Sequence, residues 1–498
     1  MKPYLRLFDF SQKVDYKTEI LSGLTVAIAL VPEAVAFAFI AGLSPLVGLY
    51  AAFVMGLVTS VFGGRPGMIS GATGAVAVVI VALAKSRGVE YVFATVVLAG
   101  IIQVLAGALK LGKLMRLVPL PVVYGFVNGL AIIIFMSQLD QFKDASGNWL
   151  TGNTLLILLG LVLLTMLIIW GLPKLTKAFP ASLAAILIVF GVVTLFGIDT
   201  KTVGDMASID GGFPPFNIPD IAYNLDTFLL ILPYAGIVAG VGLIESLLTL
   251  ELIDEITETR GRTNKEAMAQ GVANITSGFF SGMGGCAMIG QSLINISNGA
   301  RARLSGIVAS VVLLLFIMFG SSLVEQLPMA ALTGLMIMVS IGTFEWVSFK
   351  IINKYPKSDI LVGMVVALIT VLLHNLALAV LVGVIIAALV FAWDSAKRIR
   401  ARKHIDDKGV KHYEIYGPLF FGSIKMFNDK FDVADDPEEV MIDFKESRIV
   451  DMSAIEAVNK LTERYHTAGK KVYITNLSSS SHKLLIKADK MINVNVVE

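Results

Sequence analysis

Charge is scarce in this chain: of 498 residues only 16% are Asp, Glu, Lys or Arg, while 56% are hydrophobic, and mean hydropathy reaches +0.77. That balance points to a polytopic membrane protein and gives no support to nucleic-acid binding; the net charge of +2 says little, because what matters is where Lys and Arg fall. A single cysteine, Cys286, excludes an intramolecular disulfide framework and a thiolate metal cluster within one chain, and reads as a buried, inert thiol. No nucleophile–base pair, metal-ligand spacing or phosphate loop stands out, so neither an enzyme nor a cofactor is expected. The amino end, MKPYLRLFDFSQKVDYKTE, is basic and amphipathic and lacks the apolar core and small-residue cleavage site of a secretory signal. The first membrane helix is expected to act as its own address.

What the chain has in quantity is apolar runs near 20 residues, the length that crosses a hydrocarbon core of about 30 Å. They give about fourteen segments, at 19–40, 46–62, 72–84, 91–109, 119–138, 153–171, 180–197, 227–250, 264–281, 290–299, 304–322, 328–346, 358–373 and 375–394. With both ends cytoplasmic, the basic clusters Lys110/Lys113/Arg116, Lys174/Lys177, Arg260/Arg262/Lys265, Arg301/Arg303, Lys350/Lys354/Lys357 and Lys397/Arg398/Arg400 all fall inside. The opposite loops carry few basic residues, mainly Lys85, Arg87, Lys143 and Lys201, and the acidic, Pro-rich stretch Asp199 to Asp220 belongs outside. The expected division is a cytoplasmic segment 1–18, a transmembrane domain 19–396, a linker 397–411 and a cytoplasmic domain 412–498.

Two glutamates interrupt this pattern. Glu33 lies inside LSGLTVAIALVPEAVAFAFIA and Glu245 inside Thr227 to Leu250. An ionisable side chain at that depth costs about 2.5–3.5 kcal/mol on insertion scales, so such groups usually face a polar cavity or transport path. Two segments are also unlike ordinary spans. Ala72 to Leu83 would rise only about 18 Å as a helix and opens with Ser70-Gly-Ala-Thr-Gly74; Gly282 to Ser292 is again glycine-rich and leads into a short helical pattern. A weak internal echo pairs them: Val58-Thr59-Ser60, Phe62 and Met68-Ile69 against Ile275-Thr276-Ser277, Phe279 and Met288-Ile289. Two repeats of seven helices must be inverted with respect to each other, and half-helix amino termini at the bilayer midplane attract an anion through free N–H groups. Such a site needs no arginine.

The stretch Ser44-Pro-Leu-Val-Gly-Leu-Tyr-Ala-Ala52 with Phe62-Gly-Gly64 and Gly67-Met-Ile-Ser70 resembles the SulP anion-transporter family, prokaryotic relatives of solute carrier family 26 and prestin. So does the run Ile294-Asn295 through Gly299, Arg301, Arg303, Leu304, Ser305 and Gly306, and the last hundred residues resemble the STAS domain of that family. The resemblance implies two inverted sevens split into a core and a gate, a homodimer and an elevator-like motion. It also implies an anion held between the third and tenth segments with first-segment side chains closing the site. By position these are Glu33 and Phe37, Thr73 and Gly74, and Gly290, Gln291 and Ser292.

Two departures shift the local charge toward negative: Glu33 where many relatives have Gln after the proline, and Gln291 where many have Arg. A dianion approaches more easily if Glu33 is protonated, since like charges in low dielectric repel strongly. Proton-coupled uptake follows. Glu245 and Thr249 are four apart on one helix face. In sodium-coupled bicarbonate members an acid and a Thr at that spacing, with a Thr matching Thr73, contribute to a sodium site, so sodium coupling is the rival. Each residue also has a structural alternative: a hydrogen-bonded carboxyl for Glu33 or Glu245, packing for Phe37, helix caps for Thr73 and Ser292. Glu251, Asp254 and Glu255 beside Arg260 and Arg262 read as solvated charge, and Glu325, His374 and Asn375 as external turns.

Beyond Arg402 the pattern becomes polar. Val440-Met-Ile-Asp-Phe444 and Lys471-Val-Tyr-Ile-Thr475 read as buried strands and Ile455, Val458, Leu461 and Tyr465 as one helix face, an α/β layer. Ser453, in a loop resembling that phosphorylated in anti-sigma-factor antagonists, is expected to cap this helix. The domain's expected work is regulation, dimer contact or docking of a cytosolic partner. The whole reads as a proton-coupled symporter of a small anion in the inner (plasma) membrane. A dicarboxylate such as fumarate or succinate is the expected cargo; bicarbonate with sodium and sulfate with a proton are the alternatives. An anion channel or a membrane-anchored STAS sensor are the readings from other classes.

Overall fold

The computed structural model describes residues 15–111, 118–144, 146–176, 180–206, 211–350, 354, 356–373, 376–478 and 481. The amino-terminal segment to residue 14, and Lys113, Arg116, Lys177, His374 and Asn375 singled out above, lie outside the described residues. The chain forms two compact units, Met1–Val384 and Ile385–Glu498.

Fourteen helices follow the apolar runs. The first half holds α1 Tyr16–Ile40, α2 Pro45–Phe62, α3 Gly74–Arg87, α4 Val89–Ala108, α5 Leu120–Gln138, α6 Gly152–Leu175 and α7 Ala181–Phe196. The second holds α8 Leu225–Thr257, α9 Thr263–Phe279, α10 Ile289–Ser297, α11 Leu304–Phe319, α12 Met329–Thr343, α13 Lys357–Leu373 and α14 Leu376–Ala396. Local chemistry sets their starts. Asp15 caps α1 by accepting from Thr18, Pro45 opens α2, and Asn224 caps α8 by accepting from Thr227 N at 2.8 Å. Pro32 lies inside α1 and withholds a main-chain donor one residue ahead of Glu33. Helix α8 runs on to Thr257, seven residues past the expected end, because Glu251, Asp254 and Glu255 continue a helix as readily as apolar residues do.

Within the first unit, α1–α4 pack with α8–α11 as one body, while α5, α6, α7, α12 and α13 pack as another. Lipid tails are as apolar as leucine, so close approach rather than water exclusion holds these helices together. Glycines permit it: a methyl group on Gly100 of α4 would run into the Gly271 carbonyl of α9, and one on Gly271 into that of Gly100.

One end of the first body is closed by buried charge. Glu19 of α1, 3% exposed, accepts from the backbone of Arg301, Ala302 and Ser305 at 2.6, 2.7 and 2.9 Å and so caps α11. Arg303 donates to the Ser60 and Gly63 carbonyls at the end of α2, at 2.8 and 2.7 Å. Asp254 is not merely solvated: it pairs with buried Arg65 at 3.1 Å and accepts from Gly261 N.

The second unit carries a four-stranded sheet in the order β3 Arg400–Ile405, β4 Lys411–Leu419, β5 Glu439–Ile449, β6 Lys471–Thr475; the first pair is antiparallel, the others parallel. Helix α15, Met452–Thr467, crosses between β5 and β6 and buries Ile455, Val458, Leu461 and Tyr465 against the sheet. Strand β3 lies in the stretch read as linker, so the sheet begins before residue 412. The cap of α15 is Asp451, which accepts from Ala454 N at 2.8 Å; Ser453 is exposed within the first turn. The Asp451 side chain, two positions upstream, takes the place expected for the hydroxyl.

Candidate functional site

Between α2 and α3, and between α9 and α10, the chain runs extended for a few residues. Two short strands form there, β1 Ser70–Gly71 and β2 Cys286–Ala287, and they pair antiparallel, Ser70 opposite Ala287 and Gly71 opposite Cys286. Met288 N adds a bond to the Ile69 carbonyl at 2.9 Å. The glycines make this approach feasible, since a Cβ at Gly285 would overlap the Gly71 carbonyl. The echo keeps register at Phe62 and Phe279, which each end the second helix of their half. It does not keep it at Met288-Ile289, which occupies the place of Thr73-Gly74 and is joined to Met68-Ile69 by that hydrogen bond instead.

Helices α3 and α10 start directly after these strands. Their first helical bonds are Ala77 N to Thr73 O and Ser292 N to Met288 O, both 3.0 Å. The amides before them, of residues 74–76 and 289–291, have no helical acceptor and carry the positive end of each dipole.

The sequence-derived residues gather here. Phe37 of α1 lies against the start of α3, its ring filling the space a side chain on Gly74 would need. Gly290 is exposed, with open space where its Cβ would be. Gln291 is 1% exposed; its Nε2 donates to Glu33 Oε1 at 2.8 Å, while its own Oε1 is buried without a partner. Glu33 itself is half-buried. Thr73 is the cap residue of α3 by position, but its hydroxyl makes no cap bond and lies 3.2 Å from Cys286 Sγ. Ser292 is not a cap either: its hydroxyl lies inside the first turn of α10 and bonds to Ile69 N at 3.0 Å and Ile69 O at 3.3 Å, locking α10 to the approach of β1.

Cys286 is the buried thiol expected, and it has partners as well. Its thiol donates to Glu245 Oε2 at 2.9 Å and touches Thr73, so it bridges the two halves beside the strand pair. Thr249 is buried, and its hydroxyl donates to the Glu245 main-chain carbonyl at 2.7 Å rather than to the Glu245 carboxylate.

Sequence reasoning missed the supports of this platform. Helix α9 presents Glu266, Gln270, Asn274 and Ser277, all fully buried, along one face. Asn274 accepts from Gly285 N at 2.9 Å and donates to Gly285 O at 3.1 Å and to Gln103 Oε1 at 2.9 Å. Gln270 joins Ser70 Oγ to Glu266 Oε1, each at 2.8 Å. On α8, Ser246 accepts from Ala287 N at 3.1 Å. The signal was the spacing of four, four and three between polar residues in a segment otherwise apolar enough to be read as a plain span.

Comparison with known proteins shows the family. The sulfate permease family model matches residues 16–366 and the STAS domain model residues 403–492. A putative sulfate transporter, YbaR of Bacillus subtilis, is 42% identical over 469 residues, 94% of this chain and 96% of that protein. The bicarbonate transporter BicA of Picosynechococcus is 30% identical over 514 residues, 94% of this chain and 90% of that protein. The solved transmembrane domain of a cyanobacterial BicA superposes with a TM-score of 0.64 at 30% identity, covering 76% of this chain and 98% of that one. Murine Slc26a9, an anion transporter solved in the inward-facing state, gives 0.81 at 18% identity over 96% and 88%, a likeness of fold. The chain belongs to the sulfate permease family of membrane anion transporters and carries that family's membrane domain followed by a STAS domain.

Proposed function

We propose that this chain is a secondary active transporter that symports a small inorganic oxyanion with a proton, sulfate being the first cargo to test and bicarbonate the second. The names of its relatives support these two anions over fumarate or succinate. Two helix amino termini facing one another across paired strands supply unpaired amides and positive dipole ends for an anion, with Phe37 against one of them. The observation that carries the reading is the Glu33–Gln291 bond together with the unpartnered end of the same amide.

A carboxylate takes the amide's NH2 and turns its oxygen elsewhere. A protonated carboxyl has a donor of its own and takes the amide's oxygen, which releases the NH2 as a donor at the head of α10. Protonation of Glu33 therefore removes a negative charge that repels the anion and adds a hydrogen bond that attracts it. Both effects have one sign, which is what symport of anion and proton requires.

The sodium reading has less support. A sodium ion held by Glu245, Thr249 and Thr73 needs their oxygens to converge, whereas Cys286 Sγ stands between Glu245 and Thr73, and a thiol is a poor ligand for a hard cation. We assign Glu245 a proton as its partner. We also propose that the protein is a homodimer in the inner (plasma) membrane with both termini cytoplasmic, since that orientation places the basic loops inside, and that its STAS domain serves a cytosolic partner.

Uptake of labelled sulfate or bicarbonate into proteoliposomes tests the scheme. We expect uphill accumulation under an inward proton gradient, unchanged when choline replaces sodium, and loss of the pH response in Glu33→Gln. Accumulation driven by sodium alone would overturn it. Binding without flux would identify a sensor, and flux that never runs uphill a channel.

A further inference from the structure

We infer that the end of the STAS unit joined to the last membrane helix is a docking surface for the anionic phospholipid headgroups of the leaflet beside it. The inference rests on α14 ending at a bilayer surface and is independent of which anion and coupling ion are carried. The second unit takes in the last turns of α14, from Ile385 onward. From Leu376 to Ala396 this helix has 21 residues, a length of about 30 Å that matches the hydrocarbon core. Trp393, an exposed aromatic ring of the kind found at the headgroup boundary, lies in its last turn, with Lys397 Nζ 5.1 Å from its ring centroid.

Helix and sheet are joined without slack. Lys397 N and Arg398 N close the helix on the Trp393 and Ser395 carbonyls at 3.3 and 3.2 Å. Ile399 is already buried in the core of the sheet, and β3 begins at Arg400. A Cβ on Gly417 of β4 would lie 3.0 Å from the Arg398 carbonyl, and one on Gly422 would lie 3.5 Å from that of Ala396. Four residues of extended chain span at most about 14 Å, so Arg400 stands within that distance of the end of α14. The headgroup region itself reaches about 5–8 Å beyond the hydrocarbon core.

This end of the unit presents cations and bare apolar side chains. Between Ile385 and Ile405, Lys397, Arg398, Arg400, Arg402 and Lys403 stand against one acid, Asp394, and all five are exposed. Among the described residues only Arg402 of the five pairs with a carboxylate, Glu414 at 3.7 Å. The register sets Arg400 opposite Tyr416 and Leu419 opposite Ile449, so the turns that leave β4 and β5 lie at this same end. There Phe421 and Met452 stay 66% and 81% exposed, with Val450 exposed beside them. Asp451, the acid of these turns, directs its carboxylate to Phe421 N and Ala454 N, both at 2.8 Å. Protection of an edge strand accounts for Arg402 and Lys403. It accounts neither for Lys397 and Arg398, which precede the strand, nor for the bare Phe421 and Met452. An anionic leaflet accounts for all of them, its phosphates meeting the cations and its interface taking the ring and the thioether. A cytosolic protein would have to enter the narrow space between this end and the bilayer.

The test is hydrogen exchange of the full-length protein in phosphatidylcholine nanodiscs with and without about one-third phosphatidylglycerol. A basic residue near an anionic surface strengthens attachment about fivefold. Amides of 397–403, 420–423 and 450–453 should therefore exchange at least fivefold more slowly in the wild type when phosphatidylglycerol is present. In 1 M salt, where the screening length falls to about 3 Å, the difference should vanish; this arm needs no variant. Joint replacement Lys397→Gln, Arg398→Gln and Arg400→Gln should bring the two discs within twofold of each other. Phe421→Ser with Met452→Ser should remove the protection of the two turns and keep that of 397–400. Unchanged exchange in β6, at the far edge of the sheet, shows that each variant is folded. Equal exchange of the wild type in the two discs, or protection that survives 1 M salt, would overturn the inference. So would protection in detergent without anionic lipid, which would mean that a second copy or another part of the chain covers the surface. Protection by soluble glycerol phosphate in phosphatidylcholine discs would identify a site for a free anion and overturn it too.

Discussion

If Glu33 and Gln291 act as proposed, their substitutions should separate charge from hydrogen bonding at the site. In Gln291→Ala the anion loses a donor and Glu33 its partner; a hydrogen bond to a charged group is worth about 1.5–3 kcal/mol, so half-saturation should rise roughly ten- to hundredfold with the pH response kept. Glu33→Gln should leave uptake active and flat with pH. Cys286→Ser exchanges a soft atom for a hard one between Glu245 and Thr73. We expect uptake by this variant to become stimulated by sodium over choline at fixed pH, and an unchanged ratio would remove the thiol from the choice of ion. Glu33 and Glu245 were legible in the sequence because a lone acid in an apolar run has few explanations. The hydrogen bond between Glu33 and Gln291, and the thiol beside Glu245, were not. Their partners are 258 and 41 residues away in sequence, and no local pattern encodes which of several polar groups will meet.

Among elements, the short strands β1 and β2 frame the proposed site. A methyl group at Gly285 has nowhere to go beside Gly71, so Gly285→Ala should separate β1 from β2 and abolish stabilisation of the purified protein by sulfate in a thermal melt, while hydrogen exchange in α5 and α6 stays as in the wild type. Asn274→Leu removes the donor and acceptor that hold Gly285. Each buried group left unpaired costs about 1–3 kcal/mol, and the same melt should register the loss. Among the described residues, the long apolar helices were visible from hydropathy because lipid admits little else. Strand β3 was hidden because an edge strand rich in Arg, Lys and His looks like a linker, charge being how edges avoid pairing with other chains. The buried face of α9 was hidden for the opposite reason, as its polar residues are satisfied by neighbours that only the folded chain supplies.

At the scale of the whole molecule, the STAS unit carries a pH dependence of its own, separate from the one proposed for transport. In the STAS unit Asp436 is buried, which alone would raise its pKa, but hydrogen bonds from Lys411, Tyr465 and Tyr413 prevail and hold it below the ordinary value. A depressed carboxyl stabilises the fold above its unfolded value of about 3.9, and that contribution disappears as pH falls through the folded value. Asp436→Asn breaks a buried ion pair and should destabilise this unit by about 3 kcal/mol at pH 7, read as faster hydrogen exchange in β4 and β5, with the difference from wild type closing below about pH 4. In the membrane unit the main-chain bonds between β1 and β2 stitch the first repeat to the second at the very floor on which the anion is proposed to rest. A floor sewn along its middle cannot part to let its load drop through. If the anion rests there as proposed, cargo and floor have to travel together, and passage from one face of the membrane to the other would fall to the sliding of that whole block past the helices that flank it.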